Sequence, residues 1–195
     1  MTKHVLFGLF AIVMLASCNN SSKRNNEASI TIEAEQVTEP TVYEHQYLVK
    51  VGDMAPDFEM EMPDGQKVRL SSLRGKVVML QFTASWCGVC RRKMPYIESE
   101  IWQRYKDNLE FALYGIARGD TPAQIEAMRV ATKVTYPIGM DPEGDIFGLY
   151  AEKDAGITRN IIIDRAGRIV ELTRLFEMDE FNEMVELIDK LLSQQ

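Results

Sequence analysis

Histidine is nearly missing from this chain. Of 195 residues only two, His4 and His45, are histidine. That leaves little room for a His-built metal site or for a Ser-His or Cys-His hydrolase, since each needs imidazole as ligand or proton carrier. Cysteine is also scarce: three residues are too few for a disulfide-framed mini-protein. No long run of single-sign charge occurs. The net charge is -7 and the pI about 5.0, with acidic and basic residues interspersed. Such a balance does not suit a nucleic-acid partner, whose affinity rests on Lys and Arg neutralising phosphates. The apolar run Val5–Ala16 is about 12 residues, too short to span a bilayer comfortably at ~1.5 Å per residue. What is present is a 46% hydrophobic content, enough for one ordinary domain with extra chain at its ends and no need of disulfide staples. The placement of the three cysteines carries the functional information.

Lys3 followed by the apolar run has the shape of an export signal. Leu15-Ala16-Ser17-Cys18 resembles a bacterial lipobox, whose Cys is acylated and becomes the first mature residue. The simpler alternatives are a plain secretory signal with an incidental Cys, or a buried N-terminal helix. Asn19 to about His45 is polar and reads as a flexible tether. The expected division is therefore a signal over 1–17, a tether over 18–46 after lipidated Cys18, and one domain over 47–195. A lipid on Cys18 implies a periplasm-facing lipoprotein of the cell envelope. Asn19 is not an inner-membrane retention Asp, which points toward the outer membrane. Two thiols then remain for the domain, Cys87 and Cys90.

Ala55–Met62 alternates apolar and polar residues, Asp64-Gly65 marks a tight turn, and Lys67–Leu70 reads as the return strand. Lys76–Thr83 is a nearly continuous apolar run suited to a central strand. From Arg91 the spacing turns helical, with Met94, Ile97, Ile101 and Tyr105 on one face and Pro95 expected to kink the helix. A second strand over Leu109–Ala117 and a helix from Thr121 to about Ala131 follow. Tyr136–Met140 reads as short and extended, Asp145–Tyr150 as a short helix. Arg159–Asp164 and Arg168–Arg174 form a hairpin, and a final helix carries Met178, Phe181, Met184, Val185, Ile188, Leu191 and Leu192 on its apolar face. The alternation of β and α implies an α/β fold whose sheet has a parallel core and an antiparallel side.

Cys87-Gly88-Val89-Cys90 falls where the buried strand gives way to a helix. Free N–H groups and the helix dipole favour an anion there, so the Cys87 thiolate is favoured. The spacing sets Cys90 about one turn on, Gly88 permits close approach, and Arg91 and Arg92 add positive charge. Cys87 can then attack a disulfide and Cys90 resolve the mixed disulfide. A zinc ribbon lacks its second ligand pair, a haem motif needs His where Arg91 stands, and a structural bridge across three residues constrains little chain. The eleven methionines sit mostly at core spacing and do not suggest a copper site.

Trp86-Cys87-Gly88-Val89-Cys90 with Pro95 resembles the thioredoxin active-site motif. Gly52–Phe58, Leu70–Lys76 and Asp164–Ile169 resemble the TlpA/ResA group of exported, membrane-anchored thioredoxin-like proteins. The resemblance covers roughly residues 50 to 193. It implies a thioredoxin-like fold, a central mixed sheet flanked by helices, here with an N-terminal β-hairpin. The implied activity is thiol–disulfide exchange outside the cytoplasm, with a reductase of protein disulfides as the expected form. The implied partners are protein thiols and disulfides, apocytochrome c or other envelope proteins among them, with a membrane thiol donor. No cofactor is called for beyond the redox-active Cys87–Cys90 pair.

The chain departs from the pattern where the group usually has a cis-proline facing the Cys pair. Thr158 stands there, can offer a hydroxyl to Cys87, and is expected in a trans peptide because a cis bond without proline costs about 3 kcal/mol. Arg159, next to it, is reminiscent of peroxiredoxins and reads either as a thiolate or substrate partner or as a surface strand residue. Thioredoxin's buried Asp is replaced by Gln81, which takes no proton. Asp120 is the candidate assisting carboxylate, or otherwise a loop or helix-cap residue. Trp86 is expected to shield the thiols and shape a docking surface, or simply to pack. With histidine so scarce, a proton acceptor for the pair is expected to be a carboxylate, water or the partner thiol. Two alternatives stand beside exchange: a thiol peroxidase with Cys87 peroxidatic and Cys90 resolving, and a non-catalytic envelope binding module with a structural Cys pair.

Overall fold

Seven strands frame the computed structural model, which describes residues 43–194. The expected export signal, Cys18 and all but the last few residues of the expected tether lie outside the described residues. The strands are β1 (Glu59–Glu61), β2 (Lys67–Arg69), β3 (Val77–Thr83), β4 (Phe111–Arg118), β5 (Ile138–Asp141), β6 (Arg159–Ile163) and β7 (Ile169–Arg174), in spatial order β2-β1-β5-β4-β3-β6-β7. β3, β4 and β5 are parallel, and β1, β2, β6 and β7 join antiparallel. This is the mixed sheet that the element order implies. β3 lies between β4 and β6 with all its residues buried, which its unbroken apolar run requires.

Helix α1 (Gly88–Ile97) is followed by a π-helical segment (Glu98–Trp102) and a short α2 (Gln103–Tyr105). It starts three residues earlier than the apolar spacing suggests, because Cys87 itself caps it, accepting from the Cys90 N–H at 3.2 Å. Pro95 sits inside α1, and the Glu98 N–H is shared between the Met94 and Pro95 carbonyls, where the winding widens. Helix α3 (Pro122–Thr132) opens on a capping box of Thr121 and Gln124 with Pro at its first turn. Helix α4 (Met178–Ser193) closes the chain with Phe181, Met184 and Ile188 buried. The expected Asp145–Tyr150 helix is a single 3₁₀ turn, Phe147–Leu149, fed by the Asp141 carboxylate accepting from the Ile146 and Phe147 N–H groups.

Two apolar layers sandwich the sheet. One face of β3 and β6 (Leu80, Phe82, Ile161, Ile163) packs with Tyr47, Phe147 and Tyr150. The other (Met79, Ile162) packs with Met94 and Ile97 of α1, Ile125 and Met128 of α3, and Phe181, Met184 and Ile188 of α4. The first hairpin strand is shorter than the alternation over Ala55–Met62 suggests. Its leading residues bond elsewhere: the Ala55 N–H donates to the Gly167 carbonyl and the Pro56 carbonyl accepts from the Tyr150 hydroxyl. Residues 43–46, read from sequence as the end of the tether, are docked instead. Glu44–Gln46 form a 3₁₀ turn, and the His45 carbonyl accepts from the Arg159 guanidinium at 2.6 Å.

Candidate active site

The site forms where β3 ends. Cys87 and Cys90 are joined by a disulfide, with Cα atoms 5.3 Å apart. They are not equivalent: Cys87 is 8% exposed and Cys90 fully buried. The Cys87 sulfur also accepts the Cys90 N–H at 3.2 Å, so a thiolate there meets a donor and the positive end of α1. The Cys87 N–H donates to the Ala84 carbonyl and the Cys87 carbonyl accepts from Arg91, which fixes the turn between strand and helix.

Thr158 closes the site from the far side. Its hydroxyl lies 3.2 Å from both sulfurs, although 71 and 68 residues separate it from them. The β3–β6 ladder explains this: Phe82 is paired with Arg159, which brings the residue before Arg159 beside the loop after β3. The Thr158 carbonyl accepts from the Leu175 N–H just past β7. Among the described residues no peptide bond is cis.

Asp120 does not touch the thiols in this geometry and does not cap α3, a task that falls to Thr121. It is 3% exposed, and its two oxygens take the Ser85 N–H and hydroxyl, each at 2.6 Å. The carboxylate thus ties the end of β4 to the loop carrying Trp86 and Cys87. Arg159 corrects the expectation of a surface strand residue. It is not on the surface and makes no hydrogen bond to either sulfur. It is fully buried, donates to the Gly156 and His45 carbonyls at 3.0 and 2.6 Å, and stacks 4.2 Å over the Tyr47 ring. Strand alternation is the reason: Thr158 and Asn160 face the α1 side, so Arg159 faces the other. Burial in this nest pushes the Tyr47 phenol up to about 12 despite the neighbouring guanidinium. Trp86 is not packed away. It is 64% exposed and borders an open depression of about 390 Å³ with Arg118, Pro142, Glu143 and Lys153. Gln81 is buried beneath α1, its carboxamide oxygen accepting from Tyr136 at 2.7 Å.

Sequence reading missed Lys93. It is 1% exposed, three residues beyond Cys90, and its ammonium donates to the Leu175 carbonyl at 3.2 Å. The available signal was spacing: 87, 90 and 93 fall on one side of a helix, so a charge at 93 turns toward the protein.

Comparisons with known proteins agree with this geometry. The model of the family described as AhpC/TSA matches residues 51–172. The thiol-disulfide oxidoreductase ResA of Geobacillus thermodenitrificans is 31% identical over 143 residues, 73% of this chain and 76% of that protein. ResA of Oceanobacillus iheyensis is 33% identical over 107 residues, 53% of this chain; the match spans only 55% of that relative. A solution structure from Bacteroides thetaiotaomicron, described as a protein disulfide isomerase, is 56% identical. It superposes with a TM-score of 0.74 over 76% of this chain and 94% of that one. The chain belongs to the AhpC/TSA family and, within it, to the thioredoxin-like, ResA-type thiol–disulfide oxidoreductases.

Proposed function

We propose that the protein reduces protein disulfides in the cell envelope, with Cys87 as attacking thiol and Cys90 as resolving thiol. The carrying observation is their asymmetry: one sulfur opens to the surface, the other is sealed, and one hydroxyl serves both. In the reduced protein the Cys87 thiolate attacks a substrate disulfide. A mixed disulfide forms and one substrate thiolate leaves to take a proton. Cys90 then attacks the Cys87 sulfur and its proton passes to the departing substrate thiolate, releasing the second substrate thiol. Two electrons pass to the substrate and the Cys87–Cys90 disulfide remains for a membrane thiol donor to reduce. Thr158 supports the thiolate, Asp120 holds the thiol loop, and exposed Trp86 supplies apolar docking surface. Apocytochrome c is one candidate substrate. The redox pair needs no further cofactor.

The sequence of residues 1–46 supports envelope placement, with Cys18 as the lipidated anchor. Labelling with a radioactive fatty acid is expected to mark the wild type and to miss Cys18→Ser. Exchange is preferred to peroxide reduction because Arg159, the residue that suggested peroxide chemistry, donates to the Gly156 and His45 carbonyls and makes no hydrogen bond to either sulfur. The test is a trap: in Cys90→Ser, envelope proteins are expected to remain bound to Cys87 as mixed disulfides that dithiothreitol releases. A folded Cys90→Ser that captures nothing sinks the reading, and peroxide-dependent turnover with a thiol donor replaces it.

A further inference from the structure

Lys93 is buried without an ion pair among the described residues. Its ammonium donates to the Leu175 carbonyl, and the rings of Phe176 and Phe181 cover it at 5.9 and 6.0 Å. Two carboxyl groups face it from other elements, Glu171 of β7 and Glu180 of α4. Each has one buried oxygen with no hydrogen-bond partner. Arg174 has a buried Nε without a partner, while Glu183 bears on Glu171 and His45 and Glu177 bear on Glu180.

Leu175 has φ 64°, a left-handed conformation that a leucine adopts only when its surroundings hold it there. Both its polar groups are held: the N–H by the Thr158 carbonyl at 3.1 Å and the carbonyl by Lys93. A continuous path therefore runs from the Lys93 ammonium through the Leu175 peptide groups to Thr158 and on to both sulfurs.

We infer that Lys93 is a positioning residue for the thiol pair: it clamps the strained Leu175 turn that sets Thr158 against the sulfurs, and its charge, one turn beyond Cys90, favours the thiolate. This rests on the exchange reading. Burial pulls Lys93 down to about 8 against the pull of Glu180 and Glu171. Burial, with Glu180 and Glu183, pushes Glu171 up to about 7. As pH rises through this window Glu171 gains a negative charge and Lys93 loses its positive one. Both changes disfavour a neighbouring thiolate, so the cluster makes thiol reactivity sensitive to mildly alkaline pH.

The test uses the reduced full-length protein, with iodoacetamide alkylation followed against pH. Cys90 is sealed, so the rate reports Cys87. Lys93→Met is expected to slow alkylation at neutral pH by about threefold to tenfold, through one lost charge, and to shift glutathione equilibrium toward the disulfide. Lys93→Arg, which keeps charge and donors, is expected to stay within about twofold of wild type. Glu171→Gln is expected to speed alkylation at pH 8 and leave it unchanged at pH 5. It also serves if Lys93→Met does not fold. Wild-type alkylation and equilibrium in folded Lys93→Met, or an unchanged rate at pH 8 in Glu171→Gln, overturns the inference. Cys90→Ser keeps Lys93 in place and tests substrate capture alone, so failure of the exchange reading is separately visible.

Discussion

Replacing Thr158 with Val removes one hydroxyl and nearly preserves volume, so it isolates that group's contribution. In the oxidised protein the hydroxyl rests 3.2 Å from two neutral sulfurs, where a weak contact is all that is lost. In the reduced protein it can donate to the Cys87 thiolate. A hydrogen bond to a charged group contributes about 1.5–3 kcal/mol. The thiolate keeps the Cys90 N–H at 3.2 Å and the end of α1, so the lower end of that range applies. At 1.36 kcal/mol per factor of ten, the Cys87 thiolate population at neutral pH is expected to fall about tenfold. Iodoacetamide alkylation of the reduced variant should slow by that factor. The reduction potential, measured against glutathione, should become more negative by up to about 30 mV, the full shift appearing at a pH where the thiolate dominates the reduced state. Thr158→Ser, which retains a hydroxyl, should recover most of both. If a folded Thr158→Val alkylates at the wild-type rate and equilibrates at the wild-type potential, the hydroxyl does not support the thiolate and the geometric argument is wrong.

Other perturbations test the supports around the site. Asp120→Ala strips Ser85 of two short hydrogen bonds to a buried carboxylate and is expected to cost about 2–4 kcal/mol in urea unfolding of the reduced protein. Asp120→Asn, keeping one acceptor, should lose less, and equal stability of all three proteins would show that the tie is idle. Stability should also vary with pH in a defined direction. Glu171 holds its proton in the folded state up to about 7 but releases it near 4.5 when unfolded, so its favourable contribution is complete below 4.5 and is lost as pH rises through 7. Lys93, lowered from 10.5 to about 8, acts oppositely: stability rises from pH 8 toward 10.5, where the unfolded chain binds more protons. Glu171→Gln should flatten the first slope and extend the second to lower pH, because Lys93 loses a neighbouring negative charge, as read from urea midpoints at pH 5, 7 and 10.

Several parts of this molecule were legible one segment at a time. The apolar run at Val77–Thr83 has to be an inner strand because neither of its faces tolerates water. The Thr121-Pro122 pair starts a helix through local hydrogen bonds and a fixed φ. Spacing alone places Cys90 against Cys87. Other features were not legible because they depend on residues far apart in the chain. By sequence Arg159 suits a thiolate or substrate partner or a surface strand residue, yet it is enclosed by His45, Tyr47 and Gly156, a site that exists only after residues 43–47 fold back over the sheet. Asp120 was read as an assisting acid or a cap, and its partner Ser85 lies 35 residues away. Lys93 was hidden because its polar partners lie on β7, on α4 and in the turn between them.

The sequence by itself determined the chemistry available: a Cys-x-x-Cys pair at a helix start, few competing ligands, and a sheet with a parallel core. These follow from residue type and short-range periodicity, which act within one element. Only the tertiary structure decided which thiol faces outward, which hydroxyl meets both sulfurs, and which charge lies beneath the thiol helix. Those outcomes depend on the antiparallel pairing of β6 with β3 and on how β7 and α4 close over α1. Strand register and helix packing are set by the whole core at once, so no single segment encodes them.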